Sequence, residues 1–261
     1  MTFKSTLFAA LSCITFGAMA AEPENKTFTV DGIDFKMIRV EGGTFEMGET
    51  KNHPELDRDD PTTCMVTLTD YYIGETEVTQ GLWYVVMGSC PAVFQGDEML
   101  PVENVSWNDC QTFISRLNDM LGTQFRLPTE AEWEFAARGG NKSHGYGWSG
   151  SDDAEEVAWH DNTSNEKSHP VATKKPNELG IYDMSGNVWE WCNDRYSDYT
   201  STPKTNPQGA RSGSLRVDRG GSWHNRREKT SVTHRGIYSA NFKNKFTGLR
   251  LAATTVENSE D

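Results

Sequence analysis

Between residues 27 and 48 the apolar side chains Phe28, Val30, Ile33, Phe35, Met37 and Val40 alternate loosely with polar ones, and Asp31-Gly32 and Gly42-Gly43 interrupt them. A period of two places one set of side chains on one face, so the stretch predicts short β-strands joined by turns. Residues 49–61 are acidic and rich in turn formers, which predicts a surface loop, and Met65 to Ile73 reads as a further strand. Three helical signatures follow. Thr79 predicts an N-cap for a helix running through Met87, with Gly88 ending it. Ser106 and Asp109 have capping-box spacing, and Trp107, Cys110, Ile114, Leu117 and Leu121 recur every three or four residues before Gly122, which predicts one apolar helix face. Thr129 and Glu132 repeat the capping box ahead of a third helix that Gly139-Gly140 closes.

From about residue 140 onward no long periodic segment appears. Gly, Asn, Asp, Ser and aromatic residues dominate, which predicts a loop-rich half with short strands anchored by Trp148, Trp159, Trp189, Trp191 and Trp223. Apolar residues form 36 % of the 261-residue chain and aromatics 11 %, enough for a core and against disorder. A formal net charge of −13 argues against general nucleic-acid binding, which needs a basic face to displace counterions. No apolar run has the length of a membrane-spanning helix.

Residues 1–20 read as a signal peptide. Lys4 is the positive start, Leu7 to Met19 the apolar stretch and Ala18-Met19-Ala20 the cleavage site. A second reading makes Cys13 a lipidated residue and the protein a lipoprotein, the one route by which it would meet a membrane. Either predicts export, to the periplasm or cell surface. Residues 21–34 would form an N-terminal extension and 253–261 an acidic tail. Cys64, Cys90, Cys110 and Cys192 can pair in three ways, among which the sequence does not choose. Cys110 lies on the apolar helix face, where a buried thiol is the simplest expectation.

Seven stretches then form an ordered set over roughly residues 35–252: Gly42-Gly43-Thr44-Phe45-Glu46-Met47-Gly48, Tyr72 to Gln80, Pro101 to Trp107, Arg126 to Glu134, Gly180 to Trp191, Arg219 to Trp223, and Gly248-Leu249-Arg250-Leu251-Ala252. Together they resemble the formylglycine-generating-enzyme (sulfatase-modifying factor) family. The resemblance implies an α+β C-type-lectin-like fold with about three helices and little regular structure, but a fold by itself implies no activity.

Family oxidases bind Cu(I) through two thiolates in the stretch after Arg-Gly-Gly-Ser. Counted from Arg219, those positions fall on Asn225 and Thr230, so the resemblance implies no oxidase here. The iron-dependent branch uses an H-x-x-x-H-x-E pattern, which the six histidines do not form. Glu130, Glu132 and Glu134 could suggest acid–base work, but acids in a helix's first turn are expected for the dipole alone. The resemblance also implies a calcium ion held by the Asp183 and Glu190 side chains and the Gly186 and Val188 carbonyls. The other reading is that the loop folds without metal, with Asn187 making turn hydrogen bonds.

The segment 211–250 departs from the rest. It holds ten Lys or Arg and two acids. A family-like scaffold (Arg219 to Trp223, Arg235, Gly248 to Arg250) alternates with residues of no common chemistry. This resembles variable proteins of diversity-generating retroelements, especially the Treponema type, which diversify Asn codons near the C-terminus. The resemblance implies that His224, Asn225, Thr233, His234, Gly236, Ile237, Tyr238, Asn241, Phe242, Asn244 and Phe246 form an exposed ligand-binding face. Lys229, Lys243 and Lys245 would be fixed neighbours, and Trp223, Arg219 and Arg250 buried scaffold. Ordinary drift in loosely constrained loops would leave a similar pattern. The expected function is therefore a non-enzymatic, exported binder of an unknown protein or surface ligand, without catalytic cofactor. The alternative is an exported family enzyme with altered metal chemistry acting on protein side chains.

Overall fold

The computed structural model describes residues 25–48 and 62–255. The expected signal segment with Cys13, the 49–61 loop and residues 256–261 of the tail lie outside the described residues. In chain order the elements are β1 (Lys26–Val30), β2 (Ile33–Val40), β3 (Thr44–Met47), β4 (Cys64–Thr67), β5 (Tyr71–Gly74), α1 (Gln80–Met87), α2 (Trp107–Leu121), β6 (Phe125–Arg126), α3 (Glu130–Ala137), α4 (Ala154–Val157), β7 (Trp189–Arg195), β8 (Lys204–Thr205), β9 (Leu215–Arg219), β10 (Arg235–Ser239), β11 (Thr247–Gly248) and β12 (Ala252–Thr254).

The capping chemistry sets the helices as the sequence predicts. Thr79, Ser106 and Thr129 each accept a hydrogen bond from the third residue on, and Asp109 and Glu132 complete their capping boxes. Gly88 and Gly122 close α1 and α2 in the left-handed conformation that an L side chain would resist. The helix over 154–157 is additional, because one turn capped by Asp153 carries no periodic signal. Met65 to Ile73 is corrected from one strand to two. β4 pairs with β3, whereas β5 pairs with β2 and β12, and Leu68-Thr69-Asp70 carries the chain from one sheet to the other.

Three small sheets result, ordered β1-β2-β5-β12-β6, β10-β9-β7-β11 and β3-β4-β8. The first joins both ends of the described chain, so Lys26–Val30 and Ala252–Thr254 are strands of one sheet. The core divides in two. One cluster packs α1 and α2 on the first sheet, with the Trp83 and Phe113 rings stacked at 4.8 Å. The other surrounds α3 and includes Trp133, Met184 and Cys192. The four described cysteines are free thiols; Cys64, Cys110 and Cys192 are buried.

The α3 acids sit at the helix N-terminus as expected, and they are also buried rather than facing water. Glu130, Glu132 and Glu134 are buried and held by arginines from elsewhere. Arg219 reaches Glu130 at 3.0 Å and Glu134 at 2.6 Å, Arg235 reaches Glu130 at 2.6 Å, and Arg126 reaches Glu132 at 2.7 Å. Charges taken out of water must be paired in this way. The pairing also changes the charge reading of 211–250, because Arg219, Arg235 and Arg250 are neutralised inside the fold rather than displayed.

Candidate ligand-binding face

Trp189, near the start of β7, is the hub beneath the expected face. Its Nε1 donates to Asn225 Oδ1 at 3.0 Å and its backbone N–H to Phe246 O at 2.7 Å, and its ring borders Gly236. Two aromatic pairs flank it. His224 stacks on Phe246 at 5.0 Å, and Tyr238 on Phe242 at 4.2 Å with 11° between the rings. Tyr238 and Phe242 are each 37 % exposed, His224 and Asn241 are exposed, and Ile237 and Phe246 are half-buried. Stacked rings left in water are unusual for a core and suited to a contact surface.

Residues from the first half of the chain complete the face. The Phe94 ring meets Trp223 edge-on at 5.3 Å, and Lys245 Nζ lies over the Phe94, Trp223 and Phe246 rings at 5.1–5.8 Å. Asn108 at the start of α2 donates to Asn241 Oδ1 at 2.5 Å. The Asn244 backbone carbonyl accepts from Asn104 N at 2.8 Å, and its Oδ1 accepts from Phe246 N and Thr247 Oγ1. The 240–246 loop is thus tied to the rest of the fold while its side-chain tips stay outside. Contacts between residues more than a hundred positions apart leave no local pattern, so nothing in the sequence points to Phe94 or Asn108.

Several expected face positions are structural instead. Thr233 and His234 are buried, with the His234 ring 5.7 Å from Trp189. Asn225 accepts from Ser222 N, Ser222 Oγ and Trp189 Nε1, so its carbonyl oxygen is fully used. A Cβ at Gly236 would lie 2.0 Å from Asp218 Oδ1 and 3.0 Å from the Trp189 ring, so no side chain fits there. Asp218 itself is buried with neither carboxyl oxygen hydrogen-bonded, and burial pushes its pKa up to about 8. Trp223, Arg219 and Arg250 are buried. Glu103 accepts from the Val93 and Phe94 N–H groups that set the Phe94 loop, and burial raises its pKa to about 7.

The positions matching the oxidase thiolates are held in hydrogen bonds within the fold. Asn225 is committed as described, and the buried Thr230 hydroxyl donates to Arg227 O at 2.8 Å. The side chains expected to hold calcium are engaged with protein groups. Both Glu190 oxygens are taken by Arg250, and Oε2 also accepts from Trp133 Nε1 at 2.6 Å. Gly186 lies tight against the Trp159 backbone. Asp183 accepts from Ala172 N with one oxygen, while the other has no hydrogen-bond partner. Burial lifts the Asp183 pKa to about 6, and burial with the Asp183 and Glu190 charges lifts Glu77 well above the usual carboxylate range. Among the described residues no group of three His, Cys, Asp or Glu could hold a metal ion. Glu77 instead accepts from Asn187 Nδ2 and Val188 N, so Asn187 links distant segments rather than a local turn.

Comparison with known proteins bears on family and fold. The family model described as a sulfatase-modifying factor enzyme 1-like domain matches residues 22–255. The chain is 33 % identical to the chaperone protein LppX of Paenibacillus barcinonensis, across 95 % of this chain and 98 % of that protein. It is 38 % identical to the formylglycine-generating enzyme of Streptomyces coelicolor, across 47 % of this chain and 42 % of that enzyme. Among solved structures, Treponema denticola variable protein 1 matches with a TM-score of 0.81 and 32 % identity, covering 89 % of this chain and all of that one. PvdO from Pseudomonas aeruginosa shares the fold, with a TM-score of 0.72 at 21 % identity over 90 % of this chain and all of that one. The fold is α+β and C-type-lectin-like, and in structure it resembles a variable protein.

Proposed function

The chain belongs to the family of sulfatase-modifying factor enzyme 1-like domains, and within that family we propose a non-enzymatic, exported protein that binds a polypeptide ligand through its C-terminal face. The carrying observation is the pair of surface stacks, His224–Phe246 and Tyr238–Phe242, on a scaffold whose arginines and Trp223 are buried. Rigid aromatic side chains give large contact area for little lost rotamer freedom, which is what a binding face needs. The likeness to a Treponema variable protein supports a face whose residues can be exchanged, here His224, Ile237, Tyr238, Asn241, Phe242 and Phe246. The Paenibacillus relative is named a chaperone, which supports a polypeptide as ligand. No helix among the described residues is long and apolar enough to cross a membrane.

A second reading is an exported enzyme with altered metal chemistry, favoured by the identity to the Streptomyces enzyme. Selection of displayed peptides on the immobilised full chain separates the two. Binding peptides are expected, and Tyr238→Ser with Phe242→Ser should weaken them while the fold still melts at the same temperature. Peptides bound equally by the parent and the double variant would remove the face from the account. Modification of a bound peptide side chain, seen by mass spectrometry, would favour the enzyme.

A further inference from the structure

A concavity lies against the N-terminal end of α3, between β4, β8 and the 194–211 connection. It is a cavity of about 500 Å³ walled in part by Met47, Val66 and the Tyr199 ring. Four cationic side chains line it: Arg195, Lys204, Arg211 and Arg235. Arg235 is 5 % exposed and stacks against the Tyr199 and Tyr196 rings at 4.1 and 4.6 Å. Its Nε and Nη2 are used by Glu130, and Nη2 also donates to Ser197 O. Its Nη1 is buried and has no hydrogen-bond partner. A buried guanidinium N–H without an acceptor is costly, and such a group calls for one.

Among the described residues the other three cations lack partners too. The side chains of Arg195, Lys204 and Arg211 make no hydrogen bond or ion pair among the described residues. Among the described residues, the acids nearby do not cancel them. Glu130 is saturated by Arg219, Arg235 and the Tyr199 hydroxyl. Asp194 also lines the cavity, and burial with the Glu130 charge pushes its pKa to about 8, so it is mostly neutral at pH 7. A protonated carboxyl there can donate to an acceptor instead of repelling it.

We propose that this cavity binds a small anionic molecule through a carboxylate or phosphate group, with Arg235 as the buried donor and Arg195, Lys204 and Arg211 around the charge. Arginine forks and a lysine point charge are the groups that recognise such oxyanions. A cavity of this size holds a metabolite-sized ligand. The site is separate from the C-terminal face, although β10 contributes Arg235 to one and Tyr238 to the other.

The test uses the full chain with inorganic phosphate and citrate as probes, against sodium chloride at matched ionic strength. Melting temperature and isothermal titration are the readouts, since a ligand bound only to the folded state stabilises it by mass action. At least one probe should stabilise the protein beyond chloride, phosphate alone marking a phosphate ligand and citrate alone a carboxylate one. Lys204→Gln with Arg211→Gln, both outside the buried ion pairs, should lower affinity about tenfold or more while leaving the chloride melt unchanged. No stabilisation beyond chloride by either probe would overturn the proposal. So would equal affinity in the double variant, or loss of the effect in Tyr238→Ser with Phe242→Ser, which would place the anion on the C-terminal face.

Discussion

Arg250 closes on Glu190 with both side chains fully buried: its Nε lies 3.1 and 2.9 Å from the two carboxylate oxygens and its Nη2 2.7 Å from Oε1. The same guanidinium donates to Gly74 O and Tyr182 O, so it joins β5, β7 and the 180–188 loop. The family-like Glu190 is therefore balanced by a charge the protein carries itself. Removing one member of such a pair leaves an uncompensated buried charge, here beside Glu77 and Asp183. Arg250→Met should destabilise the fold by about 3–5 kcal/mol, read as a loss of roughly 10 °C in melting temperature. Melts with and without EDTA should coincide for the parent. A fall of several degrees in EDTA, absent in Asp183→Asn, would show that a cation is bound in this loop.

Asp218 provides a pH test. Its carboxyl is buried, has no hydrogen-bonded oxygen and keeps its proton to about pH 8 in the folded state. The unfolded chain releases that proton near pH 4. Between those values the folded state holds more protons, so this group lowers stability as pH rises, by at most about 1.4 kcal/mol per pH unit. Asp218→Asn keeps the shape without the charge. Its advantage in melting temperature over the parent should grow from pH 5 to pH 8 and level off above. Asp194 and Glu103 slope the same way but remain in both proteins, so the difference isolates Asp218. A constant difference across that range would mean that Asp218 titrates normally.

The helices were legible because a cap is local chemistry: Thr79, Ser106 and Thr129 each act within four residues, and α1, α2 and α3 begin where they stand. The burial of Arg219 and Arg250 was legible through their motifs, but not through charge, which marks both as surface residues. Their partners Glu130, Glu134 and Glu190 stand 89, 85 and 60 positions away, a separation no spacing rule covers. The same limit hid Phe94 and the bond from Trp189 to Asn225. Gly236 read as an exchangeable position because its constraint is the Asp218 oxygen on the neighbouring strand β9.

Asn225 and Thr230 occupy the places where oxidase relatives carry thiolates, and the fold uses both as structural residues. No conversion of a cysteine peptide to formylglycine is expected, with or without added copper. Mass-spectrometric turnover above a copper-only control would refute this. Asn225→Ala should instead destabilise the fold by about 1–3 kcal/mol, because it orphans the Trp189 indole N–H and the Ser222 donors together.

Two positions of one strand tolerate change very differently. Gly236 and Tyr238 both lie in β10, two residues apart and on the same side of the sheet. At Gly236 a methyl group would meet a buried carboxyl oxygen at 2.0 Å. At Tyr238 the side chain reaches solvent over Phe242. Gly236→Ala should therefore destabilise the protein by about 1–3 kcal/mol through overpacking. Tyr238→Ser should stay within about 0.5 kcal/mol, as surface changes usually do, apart from the small loss of one ring stack. Thermal melts of the two variants decide the matter. If Tyr238→Ser proves as damaging as Gly236→Ala, the aromatic stack supports the core and the face cannot exchange its residues freely.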